Sequence, residues 1–266
     1  MTQQTQLERT ARMWDGRAAD YERTTEVITG GFVPQLLDAA GVTTDTRFLD
    51  VAAGAGAVSL AAAARGASVF ATDLAPQMID RLKERAAEAG LTLDGRAMDG
   101  QALEIEDNSF DAVCSNFGLF FFPDPGAGVR EIHRVLKPGG RAAFTTWSLG
   151  TDGWQALMRE ARQRSIPDAP SSGINTEFQE PDAMMRSLEE AGFANVQAST
   201  INAPFSQSVE WVLGNYQAIW MPRNRLSAEQ KELFDEAFLG LVNERFGSGT
   251  VSLTREAHVA SGQKAI

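Results

Sequence analysis

Two glycines one residue apart, Gly54 and Gly56, stand between two acids, Asp50 and Asp73, in RFLDVAAGAGAVSLAAAARGASVFATDLAP, residues 47–76. Glycine has no Cβ, so this pair lets the polar part of a ligand approach backbone N–H groups where a helix begins. A carboxylate one crossover helix further on can accept from two adjacent hydroxyls, because each of them donates to it. The pattern asks for an adenosine-like ligand without a strong requirement for phosphate. Its rival is the dinucleotide fingerprint GxGxxG followed by an acid, whose third glycine position is Ser59 here. A tight strand–helix turn that holds nothing is the plain alternative.

Such residues need a sheet that delivers them to strand ends, since ligands of open α/β sheets sit where strands turn into helices. RFLDVAA is a short apolar strand and AVSLAAAARG a helix ended by Gly66. SVFATDLA is the next strand, followed by a helix that Pro76 opens and Gly90 closes. LTLDGRAMD is a weaker third strand. FDAVCSNFGLFFF is a fourth, apolar enough to be buried on both faces. PGAGVREIHRVLKPGG then reads as a helix with a stop signal, and RAAFTTWS as a fifth strand. This alternation predicts right-handed βαβ units and a parallel sheet. Beyond Gly150 it loosens into helices over DGWQALMREARQR, EPDAMMRSLEEAGF, SVEWVLGNYQAIW and SAEQKELFDEAFLGLVNERF. A turn-rich loop at DAPSSGIN and strands at ANVQASTINAPF and VSLTREAHVASGQ complete it. The expected organisation is one domain. A helical cap covers residues 7–40, and a sheet core covers 45–150 with strands near 193–205 and 250–262. A helical lid takes residues 151–192 and 207–247.

The 266 residues carry 43% apolar and 22% charged side chains and a formal charge of −11. That charge repels a phosphate backbone and an anionic membrane surface, so neither nucleic acid nor membrane is an expected partner. Cys114 is the sole cysteine, which excludes an intrachain disulfide and argues against a metal cluster. The polar N-terminus does not read as a secretory signal, and no apolar run approaches the roughly 20 residues that span a bilayer. The expected address is the cytoplasm.

Three further stretches narrow the ligand. AMDGQAL places Asp99 at the third strand's end, FDAVCSNFG carries the fourth strand into Asn116 and Phe117, and Lys137-Pro138-Gly139-Gly140 turns into the fifth. With the glycine loop, these motifs in this order closely resemble the class I S-adenosylmethionine-dependent methyltransferases. The nearest branch is the small-molecule type that includes ubiquinone/menaquinone C-methyltransferases and natural-product methyltransferases. The resemblance covers residues 14–150 and returns at REAHVASGQK. It implies a Rossmann-like doubly wound sheet, mostly parallel with an antiparallel last strand, and S-adenosylmethionine as cofactor. By resemblance, Ala52, Gly54 and Gly56 face the methionine portion, with Asp50 beneath the loop. Asp73 takes both ribose hydroxyls and Leu74 lies on the adenine. Asp99 meets the adenine amino group beside Gly100, and Met98 belongs to the same wall. Asn116 presents its backbone carbonyl to the ammonium, Phe117 packs near the sulfonium, and Tyr21 covers the carboxylate. The branch commonly carries glycine at position 52 or 53; alanine at both tightens the loop here.

Methyl transfer from a sulfonium is an in-line displacement that needs alignment and dryness more than a dedicated base. None announces itself: His133 and His258 read as structural or surface residues, and Asp20, Glu22 and Asp124 are weak candidates. Phe117, Phe120, Phe121, Phe122, Trp147, Trp154, Trp211, Tyr216 and Trp220 are either core and lid packing or the wall of an apolar acceptor pocket. Arg81, Glu84, Arg85 and Glu88 read as a salt-bridged exterior helix face. The expected function is methylation of a small hydrophobic or aromatic acceptor at oxygen, nitrogen or carbon, as in secondary metabolism, without a metal. A non-catalytic S-adenosylmethionine-binding module and a nicotinamide-dependent oxidoreductase are the alternatives.

Overall fold

Among the described residues seven strands form one sheet: β1 (Arg47–Val51), β2 (Ser68–Asp73), β3 (Asp94–Ala97), β4 (Phe110–Asn116), β5 (Leu136–Trp147), β6 (Phe193–Ser208) and β7 (Thr250–Lys264). Their order is β3-β2-β1-β4-β5-β7-β6. β3, β2, β1, β4 and β5 pair in parallel, and β7 runs antiparallel to β5 with Thr145 opposite Val259. This is the expected doubly wound sheet. The order reverses between β1 and β4, which opens the crevice where such sheets take ligands. The computed structural model describes residues 3–148, 153–168, 178, 180–219 and 226–266. No helix among them is long and apolar enough to cross a membrane.

Contacts divide the chain into two units. The first is Met1–Trp147 with Asn175–Ile201 and Ala257–Ile266; the second is Ser148–Ile174 with Asn202–Glu256. In the first, α4 (Val33–Ala39) and α5 (Ala57–Ala64) bury Leu36, Leu37, Val58 and Ala62 against Phe48, Cys114 and Ala143 of the sheet. Removing such side chains from water supplies the main stabilisation, about 25 cal/mol per Å² of apolar surface. α6 (Pro76–Glu88) follows β2, and α7 (Pro125–Val135) packs on β5 and on α9 (Pro181–Glu190). Contact thus groups α9 with the sheet. The fourth strand ends earlier than its apolar run suggests. Phe117 has φ +56 and residues 119–121 form a 3-10 turn, because a left-handed residue cannot continue a strand.

The second unit has its own aromatic core. α8 (Gly153–Ser165) packs along α11 (Ala228–Phe246), whose start Ser227 and Gln230 close with a capping box. Trp154 lies 5.6 Å from Phe205 and 6.0 Å from Phe238, on which Tyr216 of α10 (Val209–Ile219) stacks at 4.5 Å. Trp154 and Tyr216 are therefore buried in this core, and Trp211 sits 6.0 Å from Phe205. Trp220 and residues 169–175 of the turn-rich loop lie outside the described residues.

Candidate cofactor site

The chain leaves β1 and enters α5 within five residues, and the backbone turns left-handed three times to do so. Ala52, Gly54 and Gly56 have φ of +58, +54 and +96. Ala53 N–H donates to the Thr72 carbonyl at 2.9 Å, which fastens the loop to β2. A Cβ on Gly54 would stand 3.1 Å from the Tyr21 ring, and one on Gly56 2.7 Å from Leu82. The glycines thus let α6 press on the loop from one side and Tyr21 from another. No side chain caps α5 at Gly56, so its first-turn donors are not taken by a side-chain cap.

Asp73 ends β2 with its side chain turned toward the loop. Its Oδ2 accepts from Gly54 N at 2.8 Å and its Oδ1 from Ala75 N at 2.9 Å. Burial raises its pKa to about 6 against those stabilising bonds. Asp50 is fully buried beneath the loop, where Ser59 Oγ donates to its Oδ2 at 2.6 Å. Its Oδ1 meets no partner, and burial raises its pKa to about 7. Ser59, which breaks the dinucleotide fingerprint, thus supplies a hydroxyl that a glycine could not. The Tyr21 phenol lies among these groups: burial, then Asp73, Glu26 and Asp50, push its pKa up.

Met98 N–H donates to the Asp73 carbonyl at 2.9 Å, so the end of β3 lies beside that acid. Half-buried Asp99 accepts from Gln101 through both its backbone N–H (2.9 Å) and its side-chain amide (3.1 Å). Gly100 is buried, and a Cβ there would meet Phe122 at 2.5 Å. Half-buried Leu74 follows Asp73. On the other side of the crevice, buried Thr145 of β5 donates to Asn116 Oδ1 at 2.7 Å and accepts from Phe117 N at 3.1 Å. This hydroxyl fixes the left-handed turn that aims Phe117 at Trp147 (4.2 Å) and Phe32 (5.5 Å). The three rings form one wall with Trp147 half-buried.

The candidate bases are engaged elsewhere. Asp20 pairs with Arg23, and Asp124 caps α7 by accepting from Ala127 N at 3.0 Å. Glu22 is held by Arg81 and Arg85, and its pKa is lowered chiefly by the hydrogen bond from Arg81. His133 meets the Phe193 ring edge-on at 4.9 Å, and burial lowers its pKa. His258 is buried rather than superficial, with Nδ1 3.0 Å from Thr200 Oγ1. Residues 257–262 of β7 are buried in succession because both faces of the sheet are covered there, with Val259 in the cluster of Leu36 and Leu37. Arg81 and Arg85 also depart from the expected exterior face. They reach Glu22 and Glu26 of the N-terminal helices, and Arg85 also reaches the loop.

Comparison with known proteins agrees with this geometry. The methyltransferase-domain family matches residues 49–144. A demethylmenaquinone methyltransferase of Streptomyces griseus is 35% identical over 164 residues, 60% of this chain and 70% of that protein. An uncharacterized protein of Mycobacterium tuberculosis is 41% identical over 164 residues, 61% of this chain and 59% of the relative. The chain thus spans about three-fifths of that relative's length, 59%. A putative methyltransferase structure from Bacillus halodurans superposes with a TM-score of 0.57 at 18% identity, covering 88% of this chain and 99% of the other. The chain belongs to the class I S-adenosylmethionine-dependent methyltransferases, in the branch that holds the quinone and natural-product enzymes.

Ser59, Thr145, Phe122 and Arg85 join the expected residues around the loop and strand ends. Ser59 could have been found as a hydroxyl in the first turn of the helix that follows the strand of a buried acid. The other three meet their partners only through the fold.

Proposed function

We propose that this chain transfers the methyl group of S-adenosylmethionine to a small hydrophobic or aromatic acceptor. The observation that carries the reading is the loop: three left-handed residues, an α5 start with no side-chain cap, and Asp73 bonded to Gly54 N. The donor chemistry fits. Each Asp73 oxygen accepts one amide and keeps lone-pair capacity for a ribose diol. Asp50 Oδ1 is a buried acceptor with no partner of its own. In this reading Ala52, Gly54, Gly56 and Asp50 serve the methionine end under Tyr21. Asp73 serves the ribose, and Leu74, Met98, Asp99 and Gly100 serve the adenine. Asn116 presents its backbone carbonyl to the ammonium, and Phe117 packs near the sulfonium.

When bound, S-adenosylmethionine supplies a methyl group already activated by a positive sulfur. The chain's own part is to orient and to keep water out. Thr145 sets the Asn116–Phe117 turn, and Phe32, Phe117 and Trp147 offer an apolar wall to a flat acceptor. The relatedness to demethylmenaquinone methyltransferases supports an acceptor with an aromatic ring.

Calorimetric titration with S-adenosylhomocysteine, followed by labelled-methyl incorporation into a panel of quinols, phenols and aromatic amines, tests the reading. Micromolar binding that Asp73→Ala abolishes, with label in an aromatic acceptor, is expected. A folded wild type that does not bind overturns the cofactor assignment. Binding without transfer to any acceptor would leave a binding module instead.

A further inference from the structure

The guanidinium of Arg85 on α6 is divided between two elements. Its Nη1 donates to the Ala55 carbonyl of the loop at 2.6 Å, and its Nη1 and Nη2 hold both oxygens of Glu26 at 2.7 and 2.8 Å. Glu26 lies on α3 (Thr25–Thr29) of the N-terminal helices, and both side chains are less than one-fifth exposed (16% and 17%). Glu22, one turn earlier, reaches Arg85 Nε at 3.3 Å and shares its other contacts with Arg81. Tyr21, the residue before Glu22, has its ring against Gly54, the residue before Ala55. Ala55 has no exposure, and its neighbours Gly54 and Gly56 are both left-handed.

From this arrangement, and resting on the cofactor site proposed above, we infer that Arg85 is a positioning residue that latches the N-terminal helices to the cofactor loop. Its fork can hold a carboxylate at both oxygens and still reach a carbonyl, which a lysine cannot do. With Glu26 in place, the Ala55 carbonyl is anchored and Tyr21 stays over Gly54. When the helices swing away, Arg85 loses its counter-charge and the loop its anchor together. Closure over the cofactor and a rigid loop are then one event, and cofactor exchange requires the latch to open.

Arg81 is the internal control. It pairs with Glu22 of the N-terminal helices and with Glu84 and Glu88 of its own helix, and among the described residues it makes no hydrogen bond or ion pair with the loop. S-adenosylhomocysteine titrations of wild type, Arg85→Met, Glu26→Gln and Arg81→Met distinguish latch from general ion pairing. Arg85→Met is expected to weaken binding about tenfold or more and Glu26→Gln several-fold, because each removes a charge-assisted bond from a poorly hydrated site. Arg81→Met stays within about threefold. Tryptic cleavage after exposed Arg23 supplies a second readout. The ligand should slow it in wild type and Arg81→Met, and fail to do so in Arg85→Met. Equal binding by Arg85→Met and wild type, or equal loss in Arg85→Met and Arg81→Met, overturns the latch. If Arg85→Met does not fold, Glu26→Gln against Arg81→Met decides on the same terms. A wild type that binds nothing removes the cofactor reading itself, and the latch with it.

Discussion

Ala52 occupies a conformation that glycine adopts freely and alanine resists, with φ +58 at the end of β1. A left-handed non-glycine residue costs about 1–2 kcal/mol, while glycine loses about 0.5–1 kcal/mol more backbone entropy on folding. Ala52→Gly should therefore stabilise the chain by about 0.5–1 kcal/mol, measured by urea denaturation. Gly56→Ala is the converse. Its φ of +96 and a Cβ 2.7 Å from the fully buried Leu82 combine strain with overpacking, for a loss of about 3 kcal/mol in the same measurement. If Gly56→Ala unfolds at wild-type denaturant concentrations, α6 does not press on the loop as described.

Between elements, β4 and β5 are tied at their carboxyl ends by one hydroxyl. Thr145→Val keeps shape but strips the donor from Asn116 and the acceptor from Phe117 N, leaving a buried N–H unpaired. A destabilisation of about 1–3 kcal/mol follows. Under the proposed function kcat should fall and the KM for S-adenosylmethionine rise, since the displaced turn carries both the carbonyl assigned to the ammonium and the ring beside the sulfonium. A fall in stability with kcat unchanged would make Thr145 purely structural. The same logic explains Gly100 and Gly128. Phe122 fits between them because neither has a Cβ; either would stand 2.5–2.8 Å from the ring.

For the whole molecule, the two buried carboxylates predict opposite pH trends for stability and for binding. Folded Asp50 and Asp73 carry pKa values of about 7 and about 6, raised mainly by burial from the ordinary 3.8. Between about pH 4 and 7 the native state thus holds protons that the unfolded chain has lost, so these two groups contribute more stability as pH falls. Asp50→Asn removes one such charge, so its gain in Tm over wild type should be greatest near pH 8 and shrink as pH drops through about 7. A gain independent of pH across this range would mean that Asp50 keeps the same pKa in the folded and unfolded chain. S-adenosylhomocysteine affinity runs the other way. The diol needs an ionised Asp73, and calorimetry should show about tenfold weaker binding at pH 5 than at pH 7.5.

The short-range features were legible because they depend on neighbours in the chain. Strand and helix alternation through Trp147, the turn at Gly54 and Gly56, and the position of Asp73 at the end of β2 follow from local periodicity and backbone freedom. The resemblance added the family, whose methyltransferase domain matches residues 49–144. What stayed hidden depends on pairs far apart in sequence. Glu22 reads only as a weak candidate base and Glu26 carries no signal until α6 brings Arg81 and Arg85 to them, and nothing in the sequence marks Asp15 as the acceptor from Gln77 N at the start of α6. His258 reads as structural or superficial, yet the faces of β7 are covered from Ala257 to Gly262 and Thr200 of β6 meets its ring. Sequence alone determined the alternation of strands and helices through Trp147, since a period of two or 3.6 is written residue by residue. Tertiary structure alone decided which charges meet and which polar atoms lose water, because both are set by what packs from elsewhere.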